Sequence, residues 1–499
     1  MELKPTFEEF RSRVTDVGVL PVWREFLFDV DTAVTAYAKL RRPPFGFLLE
    51  SVVGGDQWAR YTFLGTDPCQ AWRLIGGRAE LWTPGDGWTP ITAADPLADF
   101  DERLRARRPL AAAAEGLPGL WGGAVGYFGY DVVRQIERLP DAPPDDLGLP
   151  DGLFAFMDLV LAIDNLLGRA MAIATVEVEP GLDDTELRRR YDEAADRTQD
   201  LVARLASADP PAPLELKPQP DADPDFSSSM SREEFEAGVE RVREYIFAGD
   251  VFQVVLSQRL EMPLTAEPFD LYRALRSLNP SPYLYFLELD GFSLVGSSPE
   301  VLVRVEDGTV TVRPIAGTRP RGATPEEDRA LALDLREDEK ELAEHRMLVD
   351  LGRNDIGRIA EYGSVEVPEL MVVERYSHVM HLASQVEGKL RGENSAMDVF
   401  KACFPAGTVS GAPKVRAMEI IDELETVRRG PYAGAVGYFG WGGMAMDTAI
   451  TIRTVVVKDG KAYVQAGAGV VADSDPASEY EETLSKARAL LRAGAMLPS

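Results

Sequence analysis

The sequence predicts an α+β fold on three observations. Asp-Gly stands between two β-rich runs in "FLELDGFSLVGSSPE", "LVRVEDGTVTVRPIAGT" and "TVVVKDGKAYVQAGAG". Amphipathic helical patterns are interspersed with those runs. The heptapeptide "GAVGYFG" occurs twice, at residues 123–129 and 434–440.

Asp-Gly suits a type I′ turn, in which both central residues need positive φ, so each run is read as a tight hairpin. Each return strand leads into an unusual loop: SSPE, PIAGT or QAGAG. Three hairpins delivering three loops point to a sheet with one functional edge. The repeated heptapeptide points to two related sheets, one from each half of the chain. Residues 206–229, rich in proline, aspartate and serine, read as a linker between an N-terminal region (1–205) and a C-terminal region (230–499). Ser231 and Glu234 have the spacing of a capping box. Phe235, Val239, Val242 and Ile246 follow at helical spacing, so a helix opens the second half.

Bulk composition narrows the function classes. The 499 residues are 45% hydrophobic, which is ample for a large core, and no apolar run approaches the ~18 residues of a membrane span. "MELKPTFEEF" lacks the layout of a signal peptide. The two cysteines, Cys69 and Cys403, form no CxxC pair, which argues for a reducing compartment without disulfides or a zinc site. A net charge of −29 makes nucleic acid and anionic membrane poor partners. An anionic ligand must therefore be held by local cations or a metal. The expectation is a soluble cytoplasmic protein.

Several constellations could carry chemistry. Glu341 and Glu344 share a helix face, as do Glu479 and Glu482, with Lys486 one turn beyond Glu482. Facing carboxylate pairs could hold Mg²⁺, although Glu-x-x-Glu arises readily among 82 acidic residues and a solvated face is the ordinary alternative. His378 and His381 are three apart but lack a further zinc ligand, and His381 is open to either packing or proton handling. "GTVSGAPK" fails the Walker spacing. It can still offer backbone N–H groups and the Thr408 hydroxyl to an anion, ahead of the helical run "KVRAMEIIDEL". Gly467, Ala468 and Gly469 let a carboxylate approach the backbone, and Arg453 can supply a bidentate fork.

Together these motifs resemble the chorismate-utilising enzyme family, and within it the large subunits of anthranilate synthases. The resemblance runs through "LLES" (48–51), "RYTFLG" (60–65), "GDVFQVVLSQR" (249–259), "NPSPYLYF" (279–286) and "GSSPE" (296–300). It continues through "PIAGTRPRG" (314–322), "EHRMLVDLGRNDIGR" (344–358), "GTVSGAPK" (407–414) and "QAGAGVVADSDP" (465–476), in the family's order.

The resemblance implies two large antiparallel β-sheets packed as a sandwich with helices outside. It implies Mg²⁺ bridging Glu341, Glu344, Glu479 and Glu482 to the ring carboxylate of chorismate, with Glu341 and Glu482 as principal ligands. Glu300 matches the general acid that protonates the departing C4 hydroxyl. Tyr432 and Arg453 match residues that hold the enolpyruvyl carboxylate. The backbone at Gly467, Ala468 and Gly469, with Lys486, completes anion binding, and Thr318, Thr408 and His381 line the pocket. Gln253 stands where water-adding relatives have a lysine base.

The implied reaction adds ammonia at ring C2 as the C4 hydroxyl leaves, then eliminates pyruvate to give anthranilate, a step of tryptophan biosynthesis. Ala316 stands where aminodeoxychorismate synthases commonly carry a nucleophilic lysine. No Gly-x-Cys-x-Gly turn surrounds either cysteine, so a separate glutamine amidotransferase subunit must supply ammonia within a hetero-oligomer. Leu49, Glu50 and Ser51, with Asn279, Pro280, Ser281, Pro282 and Tyr283, match the tryptophan feedback site. Packing of one half against the other is the alternative for these residues. The competing functions are an aminodeoxychorismate synthase component and a non-catalytic subunit that binds tryptophan or chorismate.

Overall fold

The computed structural model describes residues 2–51, 60–110, 115–218, 224–376 and 379–498, so His378 lies outside the described residues. Two large antiparallel sheets, of thirteen and twelve strands among the described residues, form the framework. Their facing sides share one apolar layer. Phe63 meets Tyr438 across it at 5.9 Å between ring centroids, and Tyr127 meets Phe292 at 6.0 Å. Helices cover the outer faces. Phe269 of helix Pro268–Leu278 packs on Phe286 of one sheet, and Phe100 of helix Pro96–Arg105 packs on Phe154 of the other. The expected sandwich is therefore present.

Both sheets contain both halves of the chain. In the larger sheet the halves meet where strand Gly46–Glu50 pairs with Tyr283–Leu289. In the smaller they meet where Gly123–Phe128 pairs with Ala435–Gly440. This corrects the reading of the repeat. The two copies of GAVGYFG lie side by side in one sheet, in antiparallel register about their central glycines, Gly126 opposite Gly437. A Cβ at either glycine would strike a neighbouring strand's carbonyl, that of Leu153 or of Asp447, which explains the identical small residue. Long-range strand pairing leaves no periodic trace, so one repeat per sheet and two repeats in one sheet look alike in sequence.

The three Asp-Gly hairpins form, each with a two-residue turn, but not as one edge. Two belong to the larger sheet and the middle one to the smaller. Asp307-Gly308 and Asp459-Gly460 have both residues at positive φ; at Asp290-Gly291 only Gly291 does. There the Asp290 carboxylate accepts a hydrogen bond from Trp88 Nε1 at 2.8 Å. Two of the expected loops are strands. Residues 315–320 pair with Val379–Lys389, and QAGAG lies inside Lys461–Val470, where Gly467 and Gly469 face Ser257 and Val255. Glycine content reads as a loop, but here a partner strand supplies the hydrogen bonds.

The capping box at Ser231 is present: Glu234 N donates to Ser231 Oγ at 3.2 Å and Ser231 N to Glu234 Oε2 at 2.7 Å, opening helix Arg232–Ala248. Helix Asp184–Ser207 overlaps the start of the segment read as a linker, and beyond it Leu214 and Leu216 pack on the core.

Candidate active site

Two strand crossings build the centre of the site. Between Phe292–Ser298 and Val301–Glu306 the chain passes from the larger to the smaller sheet, and Glu300 sits on that crossing. Between Met446–Ile450 and Thr454–Lys458 it passes back, and Arg453 sits there with φ 51°. The crossings are laced together: Ile450 N donates to Glu300 O and Ser297 N to Arg453 O, both at 3.0 Å. A non-glycine residue in the left-handed region is strained, and such strain clusters at functional positions.

Glu300 is buried, and its Oε1 accepts a hydrogen bond from Thr408 Oγ1 at 3.0 Å. Burial pushes its carboxyl up to about 8, against the opposing pull of the Thr408 bond and the charge of Lys486. Burial alone lowers the Arg453 pKa. No carboxylate acts on this half-buried side chain among the described residues. Lys486 Nζ donates to Gly467 O at 2.9 Å and pairs with Glu482 at 2.7 Å. The Tyr432 hydroxyl lies against the Gly467 backbone, and burial pushes its pKa up to about 12 against the pull of Arg429 and that backbone. A Cβ at Gly467 would lie 2.8 Å from that oxygen, and one at Gly469 would lie 2.6 Å from Gln253 Nε2. Position 467, also close to Val255 Cγ1 and the Leu256 carbonyl, therefore excludes a side chain, whereas one at 469 would displace the Gln253 amide.

Gln253, buried at the start of strand Gln253–Pro263, directs Nε2 toward Glu344 Oε1 at 3.5 Å, and its Oε1 has no hydrogen-bond partner among the described residues. His381 Nδ1 lies 2.8 Å from Gly317 O and 3.1 Å from Thr318 Oγ1. A carbonyl can only accept, so Nδ1 carries the proton and Nε2 keeps a lone pair. Burial lowers the His381 pKa, which keeps the ring neutral.

Glu341 and Glu479 lie in the first turns of helices Glu339–Gly357 and Pro476–Ala495, where the helix N-terminus favours carboxylates, and Glu344 and Glu482 follow about one turn further in. Burial and the charge of Glu341 raise Glu344; burial, aided by Glu482, raises Glu479. Arg319 reaches Glu341 at 3.3 Å. Among the described residues no three His, Cys, Asp or Glu side chains converge as a closed metal cage.

At the seam between the halves lies a cavity of about 480 Å³. Leu49, Glu50, Ser51, Pro282 and Tyr283 line it; Asn279, Pro280 and Ser281 do not. Ser281 Oγ instead donates to Ser298 O at 2.6 Å and Asn279 Nδ2 to Ser297 Oγ at 3.3 Å, bracing the strand that leads to Glu300. The Glu50 carboxylate is held by Arg276 at 2.8 Å and by Tyr272, so it is already engaged. Ser51 Oγ is buried and has no hydrogen-bond partner among the described residues.

The family model for chorismate binding enzymes matches residues 56–492. The chain belongs to the chorismate-binding enzyme family. Anthranilate synthase component 1 of Pseudomonas putida is 51% identical over 494 residues, 98% of each chain. That of Aquifex aeolicus is 46% identical over 494 residues, 99% of this chain and 98% of its own. The solved structure of anthranilate synthase component I from Streptococcus pneumoniae superposes with a TM-score of 0.73 at 40% identity, covering 93% of this chain and 99% of that one. The menaquinone-specific isochorismate synthase of Escherichia coli, at 18% identity, shares the fold with a TM-score of 0.69 over 98% of both chains.

Within this chorismate-binding chain the seam cavity holds residues that motif reading passed over. Arg60, Tyr61, Arg304, Tyr438 and Asp447 line it, and Tyr283 Oη donates to Asp447 Oδ1 at 3.1 Å. RYTFLG contains Arg60 and Tyr61 and the second copy of GAVGYFG contains Tyr438, whereas Arg304 and Asp447 lie outside both.

Proposed function

We propose that the chain is the large, chorismate-binding component of an anthranilate synthase, a lyase that converts chorismate and ammonia into anthranilate and pyruvate for tryptophan biosynthesis. Full-length likeness to chains named anthranilate synthase component 1 supports this reading. The observation that carries the chemistry is Glu300, a buried carboxyl pushed up to about 8, which keeps its proton at neutral pH beside an anion-binding pocket.

The residues divide the work. Arg453 and the Tyr432 hydroxyl take one substrate carboxylate. Thr408 fixes one oxygen of Glu300, and the carboxyl proton goes to the C4 hydroxyl as it leaves while ammonia adds at C2. The lone pair on His381 Nε2 faces the ring and can accept the proton lost on aromatisation. Gln253 cannot deprotonate water, and ammonia needs no such base. Ala316 offers no nucleophile, so C2 stays open.

Mg²⁺ fits the donor set. The four carboxylates are hard oxygen ligands in two like-charged pairs, and Mg²⁺ commonly takes one or two carboxylates while keeping waters, so no closed cage is needed. Glu341 and Glu482, one from each helix, would hold it. Bound there, it would neutralise the ring carboxylate of the substrate.

A separate glutamine amidotransferase would supply the ammonia in a hetero-oligomer. Neither thiol suits that chemistry: burial pushes Cys69 up to about 12 and raises Cys403 further. Tryptophan would act as feedback inhibitor from the seam cavity, where the buried Ser51 hydroxyl, without a partner among the described residues, could meet a polar group. Two free cysteines suit the cytoplasm. No helix among the described residues is long and apolar enough to cross a membrane.

The deciding experiment incubates the chain alone with chorismate, Mg²⁺ and ammonium salts at alkaline pH. Fluorescent anthranilate and pyruvate are expected. 4-Amino-4-deoxychorismate as the sole product would overturn the reading in favour of the folate-pathway relative, and chorismate binding without turnover would favour a binding subunit.

A further inference from the structure

One buried cation ties three segments of the site together from behind. Arg429 is 2% exposed and lies between helix Lys414–Leu424 and strand Ala435–Gly440. Its Nη1 donates to Val409 O and its Nη2 to Val255 O, each at 2.7 Å. The fork closes on Glu425, with Nε to Oε2 at 2.9 Å and Nη2 to Oε1 at 2.6 Å. Glu425 is also buried, and its Oε1 accepts from Ser257 N at 2.9 Å and Ser257 Oγ at 2.7 Å. The guanidinium lies over the Tyr432 ring at 5.5 Å and the Tyr130 ring at 4.7 Å.

Each anchor leads to a working group. Val409 adjoins Thr408, which donates to Glu300. Val255 and Ser257 pair with Gly469 and Gly467 on the strand whose backbone meets Lys486 and Tyr432, and Val255 lies two residues beyond Gln253. Tyr432 stacks on the cation directly. A buried ion pair is weak grounds for stability, because desolvation offsets its attraction, and its best use is to specify one arrangement. A planar five-donor fork suits that use, since no lysine can bond two carbonyls and both carboxylate oxygens at once.

We propose that Arg429, braced by Glu425, is a positioning residue of the reaction. It touches no substrate and holds the Thr408 hydroxyl on Glu300, and the Tyr432 hydroxyl opposite Gly467, in register with each other. This rests on the anthranilate synthase reading.

The test compares Arg429→Lys with wild type in the ammonium-dependent assay. Arg134→Lys serves as control: Arg134 forks onto Asp422 at 2.8 Å and reaches Asp131 at 2.9 Å, without bonding Glu425 or the backbone beside Thr408 and Gln253. Misplacement by about 1 Å can cost about 10²-fold, so kcat of Arg429→Lys should fall by about that factor while KM for chorismate rises less. Arg134→Lys should match it in thermal midpoint and keep its turnover. In a Thr408→Val background the Arg429→Lys change should cost markedly less, because groups acting through one contact are not additive. Glu425→Gln, which keeps both carbonyl bonds, should give a smaller loss and serves if Arg429→Lys does not fold. An unchanged kcat in the folded variant, full additivity with Thr408→Val, or an equal loss in Arg134→Lys would each overturn the proposal. Wild-type protein that makes no anthranilate would overturn the reaction itself, which is a distinguishable result.

Discussion

Replacing Thr408 by valine exchanges one hydroxyl for a methyl group and deletes the single hydrogen bond, 3.0 Å long, that Glu300 accepts from it. Burial raises the carboxyl to about 8, and the Thr408 bond is the larger of the two opposing influences, ahead of the charge of Lys486. A donor favours the ionised form, so removing it raises the pKa. Hydrogen bonds to charged groups are worth about 1.5–3 kcal/mol, and one pKa unit corresponds to ~1.4 kcal/mol, so the rise should be about one to two units. An acid works when protonated. The alkaline limb of kcat/KM for chorismate, which reports the free enzyme, should therefore lie near 8 in wild type and move up in Thr408→Val. At pH 7 the carboxyl is protonated in both proteins, so any loss there measures positioning alone. The assay follows anthranilate fluorescence from pH 6 to 10, with total ammonium adjusted so that free ammonia stays constant. A limb that stays in place or moves down would remove either Glu300 from its role as acid or Thr408 from its role as partner.

Glu300→Gln should bind chorismate by calorimetry yet lose turnover. It should also flatten the pH dependence of stability: a carboxyl raised from 4.5 to about 8 on folding weakens the native state progressively as pH climbs through that window, by at most about 5 kcal/mol above it. Mg²⁺ should raise the thermal midpoint of wild type, and the paired change Glu341→Gln with Glu482→Gln should abolish that shift; an intact shift would place the ion elsewhere. Tryptophan should inhibit turnover, and Ser51→Ala should weaken its binding about tenfold, the worth of one hydrogen bond; unchanged affinity would move tryptophan out of the seam cavity. Ala316→Lys should impair anthranilate formation, and an unimpaired variant would show that this position does not control the nucleophile.

Chemistry was easier to read in the sequence than topology. Glu300, Thr408, Arg453 and Lys486 each sit in a short contiguous motif, so their residue types announce themselves before any fold is known. The structure brings these four together with Gln253, His381, Tyr432 and the acidic pairs. Local turns and caps were equally accessible, since Ser231 with Glu234, or Asp307 with Gly308, decide their geometry within four residues. What escaped depends on distant partners. Whether Gly467 and Gly469 form a loop or a strand depends on Val255 and Ser257, some two hundred positions away. Arg429 offers no motif at all, because its role lies in three contacts from three segments. The Glu50 carboxylate, expected at the regulatory site, turns to Arg276 on a helix that sequence spacing could not place beside it.

The seam between the halves links the two proposed ligand sites through one hairpin. Tyr283, on the cavity wall, pairs directly with Ser298, and Ser298 Oγ reaches both Ile450 O at 2.7 Å and the backbone of Glu300 at 3.4 Å. Tyr283 is tethered on its other side to Asp447, on the strand that runs to Ile450 and then across to Arg453. A ligand that displaced Tyr283 would therefore act on both strand crossings at once, moving the acid and the carboxylate fork relative to each other. Sheets transmit such shifts poorly along flexible loops but well along paired strands, because close-packed interiors do not absorb small displacements. The coupling needs no wire of specialised residues. It would follow from placing the seam cavity and the strand crossings on the same paired strands, with Tyr283 opposite Ser298 and Asp447 three residues before Ile450.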